Sequence, residues 1–144
     1  MSAETDMMKL YSARILALAA DMPRTDRLAS PTATAKKRAP LCGSTVTVDV
    51  VVMDGVISDY GQDVKACALG QAAAAVVGAA IVGQTIETVT RGRAQLREML
   101  QNDGPAPDAP FDGLEVLTPA KDYKNRHASI MLAFDATMDA INGA

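Results

Sequence analysis

Two cysteines, Cys42 and Cys67, are the residues of this chain best placed to do chemistry. Cys67 opens a run of small residues that reads as a helix reaching Gly83. A thiol in the first turn of a helix meets the positive end of the backbone dipole. That favours the thiolate, the form that binds soft metals and attacks sulfur. The plainer role for such a cysteine is that of a small buried apolar residue. Cys42 lies in Pro40-Leu41-Cys42-Gly43-Ser44, where the flanking Pro and Gly keep the backbone irregular and exposed. His127 is the only histidine. No Gly-x-Ser-x-Gly, no phosphate-cradling glycine loop and no Cys-x-x-Cys is present, so conventional catalysis has little support and a non-enzyme is expected.

The elements around the cysteines predict how they meet. Val46, Val48, Val50 and Val52 repeat with period two, the mark of a half-buried strand. Asp54-Gly55 sits where a two-residue hairpin turn needs positive φ. A second strand over about Val56 to Val64 leads through Lys65-Ala66 into the Cys67 helix. An antiparallel hairpin returns its two ends to one place, so Cys42 and Cys67 are expected to be neighbours.

The remaining chain reads as support. Residues from Thr5 to Ala20 form an amphipathic helix with Met8, Tyr11, Ile15 and Leu18 on one face, ended by Pro23-Arg24. A short edge strand is expected near Thr32 to Arg38. Gln84-Thr85 breaks the Cys67 helix and caps another that runs to Gln101 and stops at Asn102-Asp103-Gly104. Pro105, Pro107 and Pro110 make a surface loop, and Leu114 to Pro119 a connector. A last helix over Asn125 to Ile141 places Ile130, Phe134, Met138 and Ile141 on one face.

Composition limits the function. The 144 residues are read as one domain, 1–144, and at 49% hydrophobic they can bury a core without staples. A net charge of −3 argues against a nucleic-acid binder, whose affinity comes from neutralising phosphates. Lys36-Lys37-Arg38 is a local basic cluster, either a solvated strand or a docking patch for an acidic partner. Two cysteines make no disulfide framework. Glu4, Asp6 and Lys9 interrupt the opening residues, so no secretory leader is expected and a reducing, cytoplasmic setting is. Ala66 to Gly83 has the length of a membrane span, but Ala, Gly and Gln71 give it little drive into lipid.

The order of these features resembles the NifU/IscU/SufU-type iron–sulfur cluster assembly scaffolds. Leu10-Tyr11, Ile15-Leu16 and Pro23-Arg24 resemble the family's opening helix and its exit. Pro40-Leu41-Cys42-Gly43 resembles the loop of its first cysteine, and Cys67-Ala68-Leu69 with Gln71-Ala72-Ala73-Ala74 its second cysteine and small-residue helix. Arg126-His127-Ala128-Ser129, then Leu132, Phe134 and Ala136, resembles the segment of its third cysteine and final helix. The likeness spans residues 9 to 142.

Two departures stand out. The family pattern has an aspartate where this chain has Ser44, and a third cysteine where it has Ser129. Some members place a histidine directly before that cysteine; here that position is Ala128, and His127 lies one further back. The ligands that carry over are Cys42 and Cys67. Ser129 occupies the third cysteine's place, but a hydroxyl resists deprotonation and soft iron or zinc prefers thiolate or imidazole. His127 becomes a third ligand if the chain around it is not yet helical. Were it helical, residues 127 and 129 would point apart.

The resemblance implies an α+β fold of the SufE/NifU type, a small, mainly antiparallel three-stranded sheet packed by helices. It implies a scaffold and carrier that takes sulfur from a cysteine desulfurase, holds iron or a transient 2Fe-2S cluster on cysteine thiolates, and passes it to apo iron–sulfur proteins. Two other roles remain open: a zinc-dependent sulfur-transfer partner that activates a desulfurase, and a degenerate interaction module of the same fold.

Overall fold

A computed structural model describes residues 12–40 and 43–143. Cys42, with Met8, Leu10 and Tyr11 of the expected first helix, lies outside the described residues. What is described of that helix, α1 (Ala13–Ala20), begins where the Ser12 hydroxyl accepts the Ile15 amide at 3.3 Å. Its Ile15 is fully buried.

Three strands follow: β1 (Ala33–Arg38), β2 (Thr45–Met53) and β3 (Val56–Lys65). They form an antiparallel sheet in the order β1-β2-β3. The β2–β3 turn is Asp54-Gly55, with φ of 53° and 76°, the paired positive values that suit the twist of a tight hairpin. Val46, Val48 and Val50 are buried, but Val52 is only partly so. A register break between Val51 and Val52 pairs Val51 with Asp59 and Val52 with Ile57 and leaves Ser58 as the extra residue.

Helix α2 (Ala68–Ala80) is shorter than its apolar run, and α3 (Ile86–Gln101) starts as expected, with the Thr85 hydroxyl accepting the Thr88 amide at 3.1 Å. The expected connector is a 3-10 helix, Asp112–Asp122, that buries Leu114, Val116, Leu117 and Ala120. The last helix, α4 (Lys124–Asn142), lies between the inner face of the sheet and helices α2 and α3. It is therefore buried almost all round rather than on one stripe: Met131, Leu132, Ala133 and Ala136 are covered as fully as Ile130 and Phe134. Among the described residues, no helix is long and apolar enough to cross a membrane.

The outer face of the sheet carries a charge that hydrophobic patterning does not reveal. Asp49 points outward from β2 yet is fully buried, because the 24–32 segment lies across it. Arg27 donates to its carboxylate through Nε at 2.6 Å and Nη2 at 3.0 Å, the Leu28 amide donates at 3.1 Å, and the Thr34 hydroxyl also donates. The hydrogen-bonded Arg27 guanidinium holds the Asp49 carboxyl below its usual range. A carboxylate with a depressed folded pKa stabilises above its unfolded value, about 3.9, and that support is lost as pH falls through the lower folded value. Replacing Arg27 alone, as Arg27→Met, strands a buried carboxylate and should cost about 3 kcal/mol near neutrality. Urea unfolding at pH 7 and pH 4 checks this: the deficit relative to wild type should shrink at pH 4, where Asp49 in the variant takes up a proton.

Candidate functional site

The hairpin brings its two ends together, while Cys42, one half of the expected cysteine pair, lies outside the described residues. Thr45 pairs with Lys65, so the residue before β2 and the residues after β3 lie side by side. Ser44 is fixed there, since its carbonyl accepts the Ala39 amide at 2.8 Å while the Gly43 amide donates to Ala39 at 3.0 Å. Cys67 stands at the N-cap of α2 in an extended conformation, and its side chain makes no capping bond. The residue is partly exposed and its thiol forms no disulfide.

That sulfur lies 3.4 Å from the Ser129 Oγ of α4. Ser129 in turn donates to the Ser44 Oγ at 3.2 Å. Ser129 has one hydroxyl proton and directs it at Ser44, so the proton between Cys67 and Ser129 is the thiol's. Both serines are nearly excluded from solvent. The result is a thiol–hydroxyl–hydroxyl row that joins the start of α2, the second turn of the buried helix and the start of β2. Neither serine carries a signal in isolation. Their meaning comes from tertiary contact over 62 and 85 residues of separation.

The approach of α2 to α4 depends on Gly70. A Cβ added there would stand 2.6 Å from the Ser129 Oγ and 3.1 Å from its carbonyl oxygen. Only a residue without a side chain lets the two helices come this close.

His127 is placed elsewhere. Helix α4 has already begun at Lys124, so residues 127 and 129 project about 200° apart around its axis. The His127 Nε2 lies 3.0 Å from the Ala120 carbonyl and 3.1 Å from that of Lys121. Both are acceptors, so Nε2 carries the proton and ties α4 to the end of the 3-10 helix. Of the two cases the sequence left open for His127, the helical one holds here, with its side chain turned to these carbonyls. Among the described residues, no group of three or more His, Cys, Asp or Glu side chains could hold a metal ion.

This architecture, an antiparallel three-stranded sheet with a small-residue helix and a buried final helix converging on a cysteine, is that of NifU/SufU-type proteins. The chain is 42% identical to a nitrogen-fixing NifU-like protein (N-terminal) from Brucella abortus, over 95% of both chains, with a TM-score of 0.93. It belongs to the NifU-like N-terminal family. A putative iron–sulfur cluster assembly scaffold protein for the SUF system from Fervidobacterium islandicum shares the fold at 18% identity, covering 93% of this chain and 98% of that one, with a TM-score of 0.83. A hypothetical protein at 19% identity does so too, at 94% and 98% coverage and a TM-score of 0.79. No protein-family model and no curated protein matches the chain.

Gly70→Ala tests the close approach. Alanine favours a helix by up to about 1 kcal/mol, but overpacking against a neighbouring backbone costs about 1–3 kcal/mol. Overpacking should prevail, lowering the melting temperature. In a Cys42→Ser background, Cys67 should also react faster with an aromatic disulfide once Ser129 is pushed away.

Proposed function

We propose that this chain is a scaffold and carrier of iron–sulfur cluster assembly. In this reading residues 1–144 act as one NifU N-terminal-like domain in the cytoplasm, without catalysing a reaction of their own. The chain receives sulfur from a cysteine desulfurase, holds iron and a transient 2Fe-2S cluster through the thiolates of Cys42 and Cys67, and passes it to apo-proteins. The observation that carries this is the 42% identity over nearly the whole length of a NifU-like domain. A thiol at the N-cap of α2, facing the open end of the hairpin, is consistent with it.

Sulfur arrival needs no external oxidant. The Cys67 thiolate attacks the terminal sulfur of the donor's persulfide, forming a new S–S bond as the donor's breaks. The donor cysteine leaves as a thiolate, and the proton from Cys67 passes to solvent or donor. That Cys67 is a partly exposed residue outside any disulfide supports such an attack.

The donor set limits how firmly the cargo is held. A 2Fe-2S cluster is normally bound by four thiolates. Beside Cys67 the described site offers two hydroxyls, Ser129 and Ser44, which are hard donors and weak ligands for iron. Cys42 and Cys67 are the thiols this chain supplies. An incompletely ligated cluster suits transfer better than storage.

Anaerobic reconstitution with ferrous iron, a desulfurase and cysteine, followed by visible absorption and metal analysis, tests the reading. Charge-transfer bands should appear in wild type, vanish in Cys42→Ser and in Cys67→Ser, and persist in His127→Ala. Ser129→Cys puts a thiol at the position whose hydroxyl lies 3.4 Å from the Cys67 sulfur, and should lengthen the cluster's lifetime. Stoichiometric zinc without bands, together with faster desulfurase turnover, would replace this reading with a zinc-dependent sulfur-transfer partner. Neither metal nor cluster, with partner binding indifferent to both cysteines, would leave an interaction module.

A further inference from the structure

The basic run Lys36-Lys37-Arg38 is divided by the strand that contains it. Lys37 turns to the helical side, where its Nζ meets Asp139 at 3.1 Å. Lys36 and Arg38 alternate to the outer face of the sheet and are exposed. Strand register then adds a cation distant in sequence: Arg38 pairs with Thr45 and Thr45 with Lys65, so Arg38 and Lys65 share the last row of the outer face. Lys36 shares the next row with Thr47 and Asp63. The row beyond holds Asp49, already neutralised by Arg27. Among the described residues, Lys36, Arg38 and Lys65 make no ion pair.

This end of the sheet thus carries four cations against two carboxylates, on a chain whose formal net charge is −3. Its last row ends two residues before Cys67. Burial explains none of the three unpaired cations, and solubility does not require them to gather on one row pair. Their number is small for nucleic-acid binding, whose affinity grows with each phosphate neutralised. Complementary charge on a protein partner, by contrast, needs only a few residues to steer an encounter.

We propose that the outer sheet face at Lys36, Arg38 and Lys65 docks an acidic surface of the protein that delivers sulfur to Cys67. This rests on the scaffold reading and adds to it the surface and the charge of the partner. Docking on that face sets the donor's reactive cysteine beside the open end of the hairpin. The helical side of the molecule stays free for other contacts.

The test is association kinetics between the full chain and the cysteine desulfurase encoded in the same genome, measured across a range of salt. The triple variant Lys36→Glu, Arg38→Glu, Lys65→Glu should associate at least about tenfold more slowly and lose most of its salt dependence. Arg91→Glu with Lys124→Glu, on α3 and α4, should keep the wild-type rate. Reconstitution with inorganic sulfide in place of the desulfurase separates docking from cargo: the triple variant should still assemble a cluster by that route. Wild-type association by the triple variant would overturn the docking face and leave the scaffold reading intact. Failure of the wild type both to bind the desulfurase and to assemble a cluster from sulfide would overturn both. Tight binding of a duplex oligonucleotide that only the triple variant loses, with desulfurase binding unchanged, would assign the face to nucleic acid and also overturn it.

Discussion

The close contact of two helices, at Gly70 of α2 and Ser129 of α4, sets where the Cys67 sulfur meets the Ser129 hydroxyl. The α4 helix is enclosed by the sheet on one side and by α2 and α3 on the others. Tyr60 from the sheet adds a buried hydrogen bond to Thr137 of α4 at 3.0 Å, and burial pushes its hydroxyl pKa up to about 12. A helix held on all sides is a rigid reference for whatever touches it. Ser129 projects from that reference to the Cys67 sulfur and to Ser44. A thiol at the start of one helix therefore meets a hydroxyl in the second turn of another.

The sheet has two faces with different tasks. Its inner valines bury against α4, and that packing sets the hairpin whose open end carries Ser44 and leads to Cys67. Its outer face holds one buried carboxylate, Asp49, satisfied by Arg27, the Leu28 amide and Thr34. That cluster pins the 24–32 segment over the middle of the sheet and leaves the end nearest Cys67 uncovered. The uncovered end is also where the unpaired cations gather. Covering, charge and reactive thiol are thus arranged along a single strand direction.

Much of the scaffold was legible in residue order. Alternating valines and Asp54-Gly55 specify a hairpin because side-chain period and turn geometry leave few alternatives. Thr85 marks a helix start because its hydroxyl can take an orphan amide. Three features were hidden, each for a tertiary reason. The last helix has a readable apolar stripe at Ile130, Phe134, Met138 and Ile141, yet its other sides are buried too, since the sheet, α2 and α3 all pack against it. Asp49 looks like a misplaced charge among valines until Arg27, 22 residues away, is seen to close on it. Ser129 and Ser44 stand out in sequence only as departures from a family pattern, and folding joins them in one row with the Cys67 sulfur, Ser129 touching the sulfur and Ser44 touching Ser129. For His127 the sequence left two orientations open, and the early start of α4 at Lys124 selects the one directed at the Ala120 and Lys121 carbonyls.

The central claim is that Cys67 is where sulfur enters. Single-turnover incubation with a persulfide-loaded cysteine desulfurase, followed by alkylation and peptide mass spectrometry, tests it most directly. The account predicts that the Cys67 peptide gains the mass of one sulfur atom, that reductant removes it, and that Cys67→Ser abolishes the gain on that peptide. A Cys67 thiol left unmodified while the desulfurase discharges its persulfide onto this chain elsewhere would contradict it.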